Sequence, residues 1–179
     1  MQNVNTFSPT VVSRNPITAK SPELRLDSVT YPDLKDYLAD YFSNIQSDYH
    51  PGTNLNISPD GLVNGQFQFT SNGFQAFCNV AGLNPKTVKT MWQKQPEYTA
   101  ETISQVMNDT DRMKKDKIRL VLHDNRIEGV VSDRYGEILT PELIDQFHAT
   151  EPNVVYKAVI IQGLRSRFVA IPDTAPVIE

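Results

Sequence analysis

A chain of 179 residues, 39% of them hydrophobic and 21% charged, is long enough to close one domain around a real core. Its net charge of −4 and pI near 5.4 exclude a polycation that coats nucleic acid over its whole surface, while leaving room for a local basic patch. No apolar run approaches the roughly 20 residues needed to cross a bilayer. Met1–Ala19 lacks the basic and apolar regions of a signal peptide. A single cysteine excludes an internal disulfide framework, so the cytoplasm of a host cell is the expected compartment.

Residues 1–30 are rich in Ser, Thr, Asn and Pro and show no periodicity. They read as an extended arm, flexible or laid along a partner. Tyr31–Gln46 carries Leu34, Leu38, Phe42 and Ile45 at helical spacing, with Asp33 and Asp36 where the helix dipole favours them, and His50-Pro51-Gly52 as its stop. Leu55–Ile57, the turn Pro59-Asp60-Gly61 and Leu62–Phe69 predict a hairpin, with Phe67 and Phe69 on its buried face. Thr70 or Ser71 caps a helix through Val80, with Phe74, Phe77, Cys78 and Ala81 on one face and Gly82 as its stop. Asn84 and Pro85 open a further helix to about Gln93, and Thr99–Lys115 predicts another.

Ile118–Leu122 and Ile127–Val131 flank the turn-rich His123-Asp124-Asn125-Arg126 and predict a second hairpin. Thr140-Pro141-Glu142 opens a short helix carrying Leu143, Ile144 and Phe147. Val154–Ile161, Gly163 and Arg167–Ile171 predict the last hairpin. The expected fold class is therefore α+β: mostly antiparallel hairpins with packed helices in a single domain over 31–172, an extended N-terminal arm over 1–30 and a tail over 173–179.

Several chemistries lack their residues. There is no GxxxxGK[ST], no GxGxxG and no GxSxG. One cysteine and the isolated His50, His123 and His148 give no zinc spacing, so no metal and no cofactor is expected. Cys78 falls on an apolar helix face and reads as a small buried hydrophobe. His123, Asp124 and Asp133 could be drawn as an acid–base group of a hydrolase or transferase, but turn polarity and ion pairing account for them more simply. No catalytic residue is assigned.

Two features stand above this background. Phe77–Met91 has the form helix, Ala81-Gly82-Leu83 turn, capped helix, which suggests a helix-turn-helix. On that reading Lys86, Thr87, Lys89 and Thr90 meet a major groove and Lys94 a phosphate. The alternative is two ordinary packed helices around a Gly-Leu-Asn-Pro corner. Between Lys86 and Arg119, eight basic residues face five acidic ones, a local +3 in a chain of net −4.

The second feature is the strand end Val130-Val131-Ser132-Asp133-Arg134-Tyr135. With Phe69-Thr70, Phe74, Phe77-Cys78 and Gly82-Leu83-Asn84-Pro85, it resembles the uncharacterised phage- and plasmid-like proteins of mobile elements, over roughly residues 55–150. That resemblance implies a phage, prophage or plasmid origin, and no catalytic residues.

The leading expectation is a non-enzymatic DNA-associated accessory protein acting in replication, recombination or single-strand binding. Its candidate contacts are Lys86, Thr87, Lys89, Lys94, Arg134, Tyr135, Arg165 and Arg167, with Arg126 and Tyr156 as further strand positions. The alternative is a phage-encoded interaction or structural subunit, an inhibitor of a host system or a particle component. Candidate partners are thus DNA, a host or phage protein engaged by residues 1–30, or a second copy of the chain. A membrane is not expected.

Overall fold

The structure, a computed structural model, describes residues 19–49, 55–109, 118–132 and 140–173. Arg134, Tyr135, Asp133, Arg112, Lys114, Lys115 and Lys117 lie outside the described residues, as do the His50-Pro51-Gly52 stop, residues 1–18 of the arm and 174–179 of the tail.

The chain folds as α+β in two sheets. β1 (Glu23–Val29) leads into α1 (Tyr31–Phe42) and β2 (Ile45–Tyr49). β3 (Leu62–Val63) and β4 (Phe67–Phe69) precede three helices, α2 (Ser71–Ala81), α3 (Pro85–Lys94) and α4 (Pro96–Asp109). The hairpin β5 (Ile118–His123) and β6 (Arg126–Ser132), helix α5 (Thr140–Thr150), and the hairpin β7 (Val154–Gln162) and β8 (Arg165–Pro172) complete it. One sheet has the order β2-β5-β6-β4-β3 and the other β1-β7-β8. All pairs are antiparallel except β4 with β6.

Two cores follow from this layering. Phe69, Phe74, Phe77, Trp92, Ile103, Met107, Leu120 and Ile127 fill the space between the five-stranded sheet and α2–α4. Leu34, Leu38, Ile144, Tyr156, Val159 and Ile161 fill the space between α1, α5 and the inner face of the three-stranded sheet. Local chemistry sets the helix limits. Thr70 accepts Gly73 N–H at the start of α2. At its end Leu83 N–H reaches Cys78 O and Gly82 N–H reaches Asn79 O, with Gly82 at φ 71 in the left-handed region. Asn84 then accepts from Lys86 and Thr87 N–H to open α3, and Trp92 ties α3 to the Pro59 carbonyl at 2.8 Å.

Four expectations are corrected. Residues 23–29, placed in the arm, form β1: Leu24 and Leu26 turn inward and are held by six register pairs to β7. The helix expected to Gln46 ends at Phe42, where Ser43 N–H bonds to Ala39 and Asp40 carbonyls and Ile45 is drawn into pairing with His123. The strand expected over 62–69 is split at Asn64-Gly65, both with positive φ, so that Val63 pairs with Phe67. The helix expected from Thr99 begins at Pro96.

Candidate nucleic-acid interface

Directly opposed residues of an antiparallel ladder share a face. Leu24, Ile161 and Ser166 therefore form one inward row, and Leu26, Val159 and Phe168 the next. The intervening rows look outward. One is Glu23–Gln162–Arg165, the second Arg25–Ile160–Arg167, the third Asp27–Ala158–Val169. The outer face of β1-β7-β8 is thus a shallow, partly apolar floor carrying three arginines from its two edge strands.

Glu23, Arg25, Ile160, Gln162, Arg165 and Arg167 line a depression of about 240 Å³ on this face. A second hollow, of about 500 Å³, shares Glu23, Gln162 and Arg165 with it and extends to Lys20, Ser21, Ser71 and Asn72. The two form one continuous surface ending at the first turn of α2, which contains no acidic residue. The positive end of the α2 dipole adds to the charge there. Four cations, Lys20, Arg25, Arg165 and Arg167, stand against two carboxylates, Glu23 and Asp27. Glu23 is hydrogen-bonded to Arg25, whose pKa is raised by that bond and by the carboxylate's charge. Neither Arg165 nor Arg167 has an ion-pair partner among the described residues.

The α3 candidates occupy a different element. Lys86, Thr87 and Lys94 are exposed, while Val88 and Trp92 anchor the opposite side of the helix. Lys89 is half-buried, its Nζ 6.0 Å from the centroid of the Phe74 ring. Thr90 Oγ1 bonds back to the Lys86 carbonyl at 3.0 Å. Arg165 borders the first turn of α2 and Lys89 lies against Phe74 in its second turn, so both flank the same helix.

Other expected positions are structural. Tyr156 is fully buried against Phe147, which removes it as a base-stacking platform; burial also raises the pKa of its hydroxyl. Arg126 sits on the β5–β6 turn, 3.3 Å from Asp124. His123 is buried with its ring 4.9 Å from that of Tyr41, and burial lowers its pKa, with Asp124 opposing. Its Nδ1 has no hydrogen-bond partner among the described residues, so Asp124 and His123 do not form a bonded pair through that nitrogen. Burial pushes the Cys78 thiol up to about 12, with Lys89 opposing. Lys20, Arg25 and Gln162 were missed. For Arg25 the available signal was the alternation Glu23-Leu24-Arg25-Leu26-Asp27.

No protein-family model, curated protein or solved structure matches the chain. Among the described residues, no helix is long and apolar enough to cross a membrane, and no cluster of three or more His, Cys, Asp or Glu could hold a metal ion.

Proposed function

We propose that the chain is a non-enzymatic DNA-associated accessory protein of a phage or plasmid, holding single-stranded DNA by its phosphates along the outer face of β1-β7-β8. The alignment of Arg25, Arg165 and Arg167 in neighbouring outward rows carries this reading, with Lys20 extending the line toward α2. Guanidinium groups suit phosphate through their planar fork of donors. Arg165 and Arg167 lie two residues apart on one strand, roughly 6.6 Å along it. No Phe, Tyr or Trp occupies the three outward rows, so binding rests on charge and carries little sequence preference. The reading extends the resemblance to mobile-element proteins and would set the chain in the cytoplasm of a host cell.

A salt titration with single- and double-stranded oligonucleotides tests it. Four phosphate contacts give a log–log slope of roughly −3 on single strands. Absence of binding at about 50 mM salt, where such contacts are strongest, would remove the proposal.

A protein-interaction role is the second reading. β8 is an edge strand, and Phe168, Val169 and Ile171 on it are exposed. Light scattering on the full chain, and pull-down with host extract against a V169K/I171K variant, would favour this reading if assembly or capture depends on those side chains.

A further inference from the structure

Glu128 is the buried carboxyl at the seam between the two sheets. It is 3% exposed and sits in the β6 bulge, where Val121 pairs with Gly129 and Leu122 with Ile127, leaving Glu128 without an opposite residue. Three segments close over it. Ser21, just before β1, places its Oγ 2.8 Å from Glu128 Oε2. Thr70, at the β4–α2 junction, places its Oγ1 3.2 Å from the same oxygen. The Gly163 turn between β7 and β8 lies so close that a Cβ there would stand 2.2 Å from Oε2. Oε1 has no partner among the described residues.

The protons can be counted. Thr70 has one hydroxyl proton, and its oxygen lies 3.0 Å from Ile127 O, closer than to Glu128. That oxygen also accepts Gly73 N–H at 3.2 Å. If Thr70 donates to Ile127, its contact with Glu128 needs a proton from the carboxyl. A protonated Oε2 supplies it and completes an ordered chain: Ser21 donates to Oε2, Oε2 to Thr70, and Thr70 to the Ile127 carbonyl. Oε1 lacks a partner among the described residues in either form, and the ionised form would in addition bury a charge.

We propose that Glu128 is a protonated clasp that docks the Ser21–Pro22 segment and the β7–β8 turn onto the five-stranded sheet, and that ionising it loosens this joint. Few charges face it. Arg126 lies two residues away on β6 and favours the ionised form. Tyr41, from α1, spends its hydroxyl on the Pro22 and Gly163 carbonyls, at 2.8 and 3.3 Å. Lys20, Glu23 and Arg165 border Ser21 on the solvent side. Burial raises the carboxyl's pKa, outweighing the contacts with Ser21 and Thr70 and the charge of Arg126. A folded pKa above the unfolded value makes this stabilisation whole below about pH 4.3 and loses it as pH rises through the folded midpoint. The joint operates whether or not the sheet face binds nucleic acid.

Carboxyl carbon NMR on the full chain reads the titration directly. Glu128 is expected to titrate above the ordinary glutamate range; a midpoint within or below that range overturns the clasp. Glu128→Gln keeps a donor for Thr70 without a titration. Its urea midpoint relative to wild type is expected to improve as pH rises from 5 to 7.5; a variant penalised more at pH 7.5 than at pH 5 would mean that the carboxylate is the working form. Should Glu128→Gln fail to fold, wild-type hydrogen exchange decides. Protection of Gly163 N–H, which bonds to the Pro22 carbonyl at 3.0 Å, is expected to fall by up to roughly tenfold per pH unit between about pH 4.3 and the folded midpoint, after correction for intrinsic exchange. Protection indifferent to that ionisation overturns the proposal.

Discussion

Replacing Gly73 with alanine sets two physical effects against each other. In an exposed helix interior, Gly→Ala stabilises by about 1 kcal/mol. In this fold a Cβ at Gly73 would stand 1.8 Å from Ile127 O and 2.7 Å from Ile127 C, both backbone atoms of β6. Ordinary carbon contacts need about 3.5 Å, so α2 must retreat from β6 by well over 1 Å. That retreat strains the two hydrogen bonds to Ile127 O, from Thr70 N–H at 3.1 Å and Thr70 Oγ1 at 3.0 Å. Overpacking of this kind costs about 1–3 kcal/mol, and each weakened hydrogen bond about 1 kcal/mol. The net expectation is a destabilisation of about 3 kcal/mol after the helix gain is subtracted. With a urea dependence of about 2 kcal/mol/M, the unfolding midpoint falls by about 1.5 M. Circular dichroism during urea titration reads it. A midpoint unchanged or raised would refute the seating of α2 on β6.

Asn84→Ala removes the side-chain acceptor for Lys86 and Thr87 N–H and is expected to cost about 1 kcal/mol in urea unfolding. Cys78 has no exposed surface and a thiol pushed up to about 12, so a disulfide reagent at pH 8 should label it far more slowly in the native chain than in urea; equal rates would contradict its burial. Trp92→Phe leaves the Pro59 carbonyl without its indole donor, an expected loss of about 1 kcal/mol measured by thermal unfolding. Changing Arg25, Arg165 and Arg167 together to Gln should flatten the salt dependence of single-strand binding by roughly two log units per decade of salt, with folding unchanged by circular dichroism.

Local chemistry was legible wherever it acts on its own. The Thr70 and Asn84 caps, the Gly82 stop and the β5–β6 and β7–β8 hairpins follow from neighbouring residues and stand where expected. Long-range pairing was not. β2 continues the helical spacing of α1 through Ile45, and only its partner β5 makes it a strand. The parallel contact of β4 with β6 joins residues about 58 apart and leaves no local trace. β1 was hidden because its alternation, Glu23-Leu24-Arg25-Leu26-Asp27, spans only five residues between Ser21-Pro22 and Ser28. This hid half of the candidate site. Arg165 and Arg167 were legible on a hairpin strand, whereas Arg25 and Lys20 join them only once β1 pairs with β7. Tyr156 illustrates the opposite error, since the β7 residues on either side of it, Val155 and Lys157, are less buried while it points into the α1–α5 core.

The most direct test is an NMR titration of the full chain with a short single-stranded oligonucleotide at about 50 mM salt. Amide shifts should concentrate on Lys20, Arg25, Ile160, Gln162, Arg165 and Arg167. Shifts confined to Lys86–Lys94 on α3, or none at all, would contradict the assignment of the sheet face as the nucleic-acid surface.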